Sequence, residues 1–291
     1  MSTKGGSALS ERAAVTPEDR SLANTVRAIT TVWQRELIRF GRSKMRVVTS
    51  FAQPILYLFV FGTGLGSLVG RASVGFDFKM FLFPGVLGMT VLFSAVFSAV
   101  SIVWDREFGF LREMLVAPVP RSGIVMGKAL GGASVATVQG ALVLVLAPFA
   151  SIRLTPLIVI EALAIMALLA FCLTSLGIVV ASRMQRIESF QAVMQFFLMP
   201  IFFLSGALFP IGSLPSWLSV LVRANPMTYA VVALRRVMFS ADPLPPDAAQ
   251  AAGLNITWGS WVLPTWMLLL VVAIFGALAL SVSVLTFRQV E

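Results

Sequence analysis

Few side chains in this 291-residue sequence could do chemistry, and their scarcity narrows the function. Histidine is absent, and Cys172 is the one cysteine. Zinc, haem and most general-base chemistry need imidazole or clustered thiolates, so those classes are excluded, as is an intramolecular disulfide. Glu161 is the only acid inside a long apolar run. A serine protease or acyltransferase working inside a membrane needs histidine, and an aspartyl protease needs paired aspartates in its spans, which this sequence does not offer. Proton coupling is another use for a buried acid. Thr155 and Pro156 would start a helix about one and a half turns before Glu161. The positive end of that helix and outward snorkelling account for the acid as well as proton coupling does.

Two glycine clusters resemble nucleotide loops and fail in detail. Gly123-Ile-Val-Met-Gly127-Lys128-Ala129 has three residues between its glycines where a phosphate loop needs four, and Ala where Ser or Thr would hold magnesium. Gly64-Leu-Gly66-Ser-Leu-Val-Gly70 misses the dinucleotide spacing. The pairs Gly62–Gly66 and Gly127–Gly131 have GxxxG spacing, which is too widespread in membrane helices to assign an interface. The remaining polar groups in apolar runs are the neutral amides Gln53, Gln139, Gln191 and Gln195. Gln191 and Gln195 share one helical face with Phe202, while Phe196, Met199 and Phe203 lie on an adjacent face. This pattern fits interhelical packing with lipid-facing aromatics, and it equally fits a path lined by amides and aromatics for an amphiphile. Gln53, Gln191, Gln195, Phe196, Met199 and Phe202 are the candidates for such a path.

The elements that must position these groups are membrane helices. The chain is 58% hydrophobic and 12% charged, against about a quarter charged in soluble domains. Six apolar runs are each near the ~20 residues needed to cross ~30 Å of hydrocarbon. They lie near Val47–Gly66, Met80–Val103, Ala129–Ala150, Leu154–Ala181, Phe190–Ile211 and Trp261–Leu285. Pro200, Gly206 and Pro210 could break the fifth. The expected fold is an all-α polytopic membrane protein. The first 46 residues are polar and basic, without the apolar core of a cleavable signal, so the first run is expected to stay as an anchor.

The net charge of +9 is spread between and before the apolar runs, which points to lipid headgroups and topology rather than nucleic acid. Sixteen of the 22 basic residues fall on the side that holds both termini, which predicts a cytoplasmic location for both. Val26, Ile29, Trp33, Leu37 and Phe40 form one helical stripe, with Arg27, Arg35, Arg39 and Arg42 elsewhere. That predicts an amphipathic helix in the membrane interface over residues 21–46, Trp33, Arg35 and Arg39 among its contacts, after a disordered tail over 1–20. Residues 47–291 form the six-helix domain. Within its long external segment Asn225 and Pro226 read as a helix cap and first turn. The helix that follows, with Tyr229 in it, is expected to be amphipathic or re-entrant.

Two segments carry a resemblance. Asp105-Arg-Glu-Phe-Gly-Phe-Leu-Arg-Glu-Met-Leu-Val-Ala-Pro-Val-Pro-Arg121, with Gly127-Lys128, resembles the cytoplasmic loop of type-2 ATP-binding-cassette (ABC) exporter permeases. Asn225-Pro-Met-Thr-Tyr-Ala-Val-Val-Ala-Leu-Arg235 resembles the second hallmark of that family, with Val232 where an acid is expected in many relatives. The resemblance implies the membrane subunit of an ATP-driven exporter in a bacterial inner membrane, not itself an enzyme. It implies a homodimer carrying two copies of a separate ABC ATPase, where ATP and magnesium bind. It also implies a short coupling helix, with Glu107, Phe108, Gly109, Leu111, Arg112, Glu113 and Leu115 transmitting ATPase closure. The expected cargo is a hydrophobic drug or lipid-like amphiphile moved by alternating access. A lipid-linked polysaccharide or lipo-oligosaccharide is the alternative cargo, and an ATP-independent channel or scaffold is the alternative class.

Overall fold

The computed structural model describes residues 22–69, 77–109, 121–211, 214–258 and 261–288. The expected tail (1–20) lies outside them, as do Leu111, Arg112, Glu113 and Leu115 of the expected coupling helix. Eleven α-helices occupy the described residues: α1 (Leu22–Gly41), α2 (Lys44–Val69), α3 (Phe78–Ser98), α4 (Val100–Glu107), α5 (Arg121–Leu144), α6 (Pro156–Ala181), α7 (Ile187–Phe203), α8 (Ser216–Ala224), α9 (Pro226–Met238), α10 (Pro246–Ala251) and α11 (Thr265–Arg288). A 3₁₀ turn (Ala147–Ala150) follows α5. A small hairpin pairs Thr257–Trp258 with Trp261–Val262.

The all-α reading holds, with corrected boundaries. Among the described residues three helices are long and apolar enough to cross a membrane: Phe78–Glu107 taken through its joint, Pro156–Ala181 and Thr265–Phe287. The pair α8–α9, bent by 86°, makes a fourth if counted as one broken span. Phe51–Gly64 and Ile187–Phe203 are shorter apolar helices. The expected second run is two helices joined at Ala99. The expected third run begins eight residues early, at Arg121. Its helix is rich in glycine and contains Lys128 and Gln139, a composition suited to protein neighbours more than to lipid. The expected fifth run stops as helix at Phe203, three residues after Pro200, and the chain then turns through Gly206 at φ 70°. The expected sixth starts at Thr265, because Trp261 and Val262 belong to the hairpin.

The core is centred on α3, whose residues from Met80 to Leu92 are all buried. It packs against α2, α5, α6 and α9. Such all-round apolarity places a helix inside the bundle rather than at its edge. α11 shows the opposite pattern. Leu268, Val272, Ala279 and Ser283 are buried on the side packed against α6, α9 and α5, and Ser283 Oγ donates to the Ser175 carbonyl of α6 at 3.0 Å. Trp266, Leu270, Ile274, Leu278, Val282 and Leu285 form an exposed apolar stripe on its other side, as a lipid-facing helix requires.

Candidate functional site

Within the segment expected as one interfacial helix (21–46) the chain is helical at Leu22–Gly41 and starts α2 at Lys44, and the buried face of α1 is not the expected stripe. Ala28, Val32, Glu36 and Phe40 are buried, whereas Val26 is 58% exposed. The cause is a protein partner: α1 packs along α5. A Cβ on Gly127 would lie 2.8 Å from Val32 Cβ and 2.9 Å from the Ile29 carbonyl oxygen, and one on Gly131 would lie 2.8 Å from Glu36 Cβ. The two glycines therefore form the groove that seats α1, an interface their spacing alone did not assign. Trp33, expected to face lipid, donates its indole N–H to Ser134 Oγ at 3.0 Å on the same helix α5.

This seating brings Glu36 to Lys128. The Lys128 ammonium donates to Asp105 Oδ2 at 2.5 Å, Ser101 Oγ at 3.0 Å and Glu36 Oε1 at 3.3 Å. An ammonium has three protons, and each has an acceptor. Arg35 adds a second cation, with Nη2 at 3.0 Å from Asp105 Oδ2. Glu36, Asp105 and Lys128 are all buried, so charge pairing and hydrogen bonding together offset their desolvation.

Asp105, Arg106 and Glu107 then serve three different neighbours. Asp105 holds α1 and α5. The Arg106 guanidinium donates to the carbonyls of Met184 (2.7 Å) and Ser182 (2.8 Å), just past the C-terminal end of α6. Glu107 Oε2 accepts from the N–H of Ile187 at 3.0 Å, the first residue of α7. Cation at a helix C-terminus and anion at an N-terminus are the pairings that unsatisfied end groups and helix dipoles favour. The last turn of α4 thus holds four helices, two of them by their ends. Beyond it Phe108 is 60% exposed, and Gly109 adopts φ 80°, where the chain leaves towards residues 110–120. Glu107 was expected on a docking surface; it is exposed, with its carboxylate engaged inside the chain.

The other candidates do not gather at one place. Gln53 is exposed, its amide nitrogen 3.9 Å from the Met89 sulfur. Gln191, Gln195, Phe196 and Met199 lie exposed along α7, Phe196 at 72%. Phe202, expected on a path, is instead in the core, its ring edge-on to Tyr57 at 6.2 Å. On the far side Asn225 caps α9 as expected. Its Oδ1 accepts from Met227 N at 3.0 Å and its Nδ2 donates to the Ile201 carbonyl at 2.7 Å, with Pro226 in the first turn. Tyr229 donates to the Arg223 carbonyl at 2.7 Å and so braces the α8–α9 bend. The helix expected to be amphipathic or re-entrant is buried on nearly every side, packed against α3, α6 and α11, and it forms the 86° bend with α8. Val232, in the position where an acid was expected, is itself buried.

Sequence reasoning missed Glu36, Ser101, Asp105 and Lys128 as a cluster. A signal existed for Glu36, which continues the four-residue phase of Ala28 and Val32 towards Phe40.

A family model described as ABC-2 type transporter matches residues 27–239, which include the clamp and the capped α9. The chain belongs to the ABC-2 type transporter family. Nodulation protein J of Rhizobium leguminosarum bv. trifolii is 30% identical over 211 residues, covering 71% of this chain and 79% of that protein. The inner membrane transport permease YadH of Escherichia coli K12 is 26% identical over 221 residues, covering 75% and 85%. The ycf38 protein of Cyanophora paradoxa is 29% identical over 205 residues, covering 69% and 71%. As a member of the ABC-2 family with long apolar helices, the chain is a multi-pass membrane transport permease.

Proposed function

We propose that this chain is the membrane-spanning half of an ATP-driven exporter. Two copies would pair around a central path and carry two copies of a separate ABC ATPase, which would bind ATP and magnesium. The observation that carries this reading is the clamp of Asp105, Arg106 and Glu107. A force applied to residues 108–120 would reach α1, α5, α6 and α7 together, because one helix end holds all four. A channel needs no such rigid strut beside a loop. The chain's own glycine motifs miss nucleotide-loop spacing, so the energy would come from the partner.

In this reading the polypeptide crosses six times with both termini cytoplasmic, α2 and α7 completing the count with neighbouring turns and α5 lined by protein. ATPase closure would press on the segment from Glu107 to Leu115, and the two copies would open outward in alternating access. Cargo would be a drug-like or lipid-like amphiphile, with Gln191, Gln195, Phe196 and Met199 on the surface it meets.

The test is reconstitution of the chain with a co-purifying ABC ATPase in proteoliposomes, scored for ATP-dependent movement of labelled amphiphiles. Outward movement that needs both proteins and hydrolysable ATP is expected. Movement by the chain alone, unaffected by ATP, would establish the channel class instead.

A further inference from the structure

Beside the charge cluster lies a cavity of about 470 Å³, between α1, the α3–α4 joint, α5 and the start of α7. Its size falls within the ~300–1,000 Å³ common for small-molecule sites. Its walls are of two kinds. Phe40, Phe97, Val100 and Trp104 form an apolar side. The polar lining is Arg39, Glu36, Gln191 and the serines Ser43, Ser98 and Ser101, with the Arg39 guanidinium carbon 5.9 Å from the centre of the Trp104 ring.

The charges around the cavity do not cancel. Glu36 and Asp105 are both taken by Lys128, and Arg35 also reaches Asp105. Three cations therefore meet two carboxylates, and Arg39 is the one with no acid among the described residues. Contact with an aromatic face stabilises a cation only modestly and leaves its forked N–H donors open to a planar oxyanion. A cation of this kind above an apolar wall matches a ligand with an anionic head and a hydrocarbon chain. The volume is enough for a headgroup and the upper part of a chain, and the rest of the ligand must continue into the bilayer.

We infer that this cavity binds one anionic phospholipid from the leaflet adjoining α1, with its phosphate on Arg39 and its chain along Phe97, Val100 and Trp104. That leaflet is the cytoplasmic one in the orientation proposed above. The binding itself needs neither ATP nor an ATPase, so it stands or falls separately from ATP-driven export.

The full chain would be purified from nanodiscs made of phosphatidylcholine with a minority of phosphatidylglycerol, and retained lipids counted by native mass spectrometry. Wild type should retain one phosphatidylglycerol in preference to phosphatidylcholine. Arg39→Gln should lower that retention about tenfold, the scale of one lost charge-assisted contact. Arg39→Lys should keep part of it. Arg42→Gln, which removes an exposed cation one turn along and outside the cavity, should leave it unchanged. Val100→Trp, which keeps Arg39 and fills the apolar side, should also expel the lipid, with dispersity and melting checked against wild type. Inorganic phosphate should not displace it. Equal retention of phosphatidylcholine, equal loss in Arg42→Gln, unchanged retention in Arg39→Gln or Val100→Trp, or displacement by phosphate alone would each overturn the assignment.

Discussion

Lys128 Nζ and Asp105 Oδ2 stand 2.5 Å apart, both buried, on helices α5 and α4. The pair ties α4 to α5, and Glu36 ties α1 to the same point. Three helices thus meet at one buried bond. Its strength is therefore the first quantity to measure.

Lys128→Ala should destabilise the purified permease by roughly 3 kcal/mol, because it leaves two buried carboxylates sharing only the partly exposed Arg35. Asp105→Asn should cost less, since the amide oxygen still accepts and Glu36 still balances the ammonium. The two changes together should fall short of the sum of the singles, with a coupling of about 1–3 kcal/mol. Unfolding in mild detergent, followed by a thermal or denaturant shift, reads all three. Strict additivity would mean the pair carries no mutual energy.

Gly127→Val should separate α1 from α5. The added side chain meets the Ile29 backbone and Val32 Cβ, and backbone cannot move aside as a flexible side chain can. Hydrogen exchange within Leu22–Gly41 should rise sharply while exchange in α3 stays protected. Gly41→Ala, where nothing lies near the added carbon, is the control.

Arg235 shows why charge alone does not define a buried cation. It is fully buried in α9, donates to the carbonyls of Gly206 (3.0 Å) and Ala252 (3.2 Å), and sits 4.0 Å above the Phe81 ring. Arg235→Lys keeps the charge but replaces a planar fork with a point charge, so we expect about 1–3 kcal/mol of lost stability. Arg235→Ala should cost more, since it leaves both carbonyls unpaired and a cavity over Phe81. A lysine variant as stable as wild type would show that the fork geometry is not used.

If the chain is the exporter subunit proposed above, Phe108→Ala combined with Leu111→Ala should leave it inserted and dimeric but abolish export. Phe108 projects from the end of the clamp, and removing an apolar contact costs more than removing an exposed charge. Either ATPase association should weaken, or hydrolysis should continue uncoupled from transport. Wild-type export at matched expression would place the transmission element elsewhere.

Ser2 and Glu291 should be cytoplasmic and Asp242 external, from the sixteen-to-six distribution of basic residues. Asp242→Cys should react in intact cells with an impermeant maleimide. The native Cys172 is buried and should give little background. Cysteines placed at the two termini should react only after permeabilisation, and the reverse pattern would invert the topology.

The sequence by itself determined the class of this protein, its helical make-up and several helix ends. Runs of apolar residues are a local property that lipid imposes, and the Asn225-Pro226 and Thr155-Pro156 caps involve neighbours one turn apart, so both could be read along the chain. Which face each helix buries was decided only in three dimensions. The stripe from Val26 to Phe40 pointed to lipid, but two glycines on α5 offered a closer partner and rotated the buried face onto Ala28, Val32 and Glu36. Phe202 moved from path to core for the same reason, because Tyr57 approaches it from another helix. The cluster of Glu36, Asp105 and Lys128 spans 92 residues between its ends. No local pattern carries a pairing at that distance, and only the packing of three helices brings the charges within hydrogen-bonding reach.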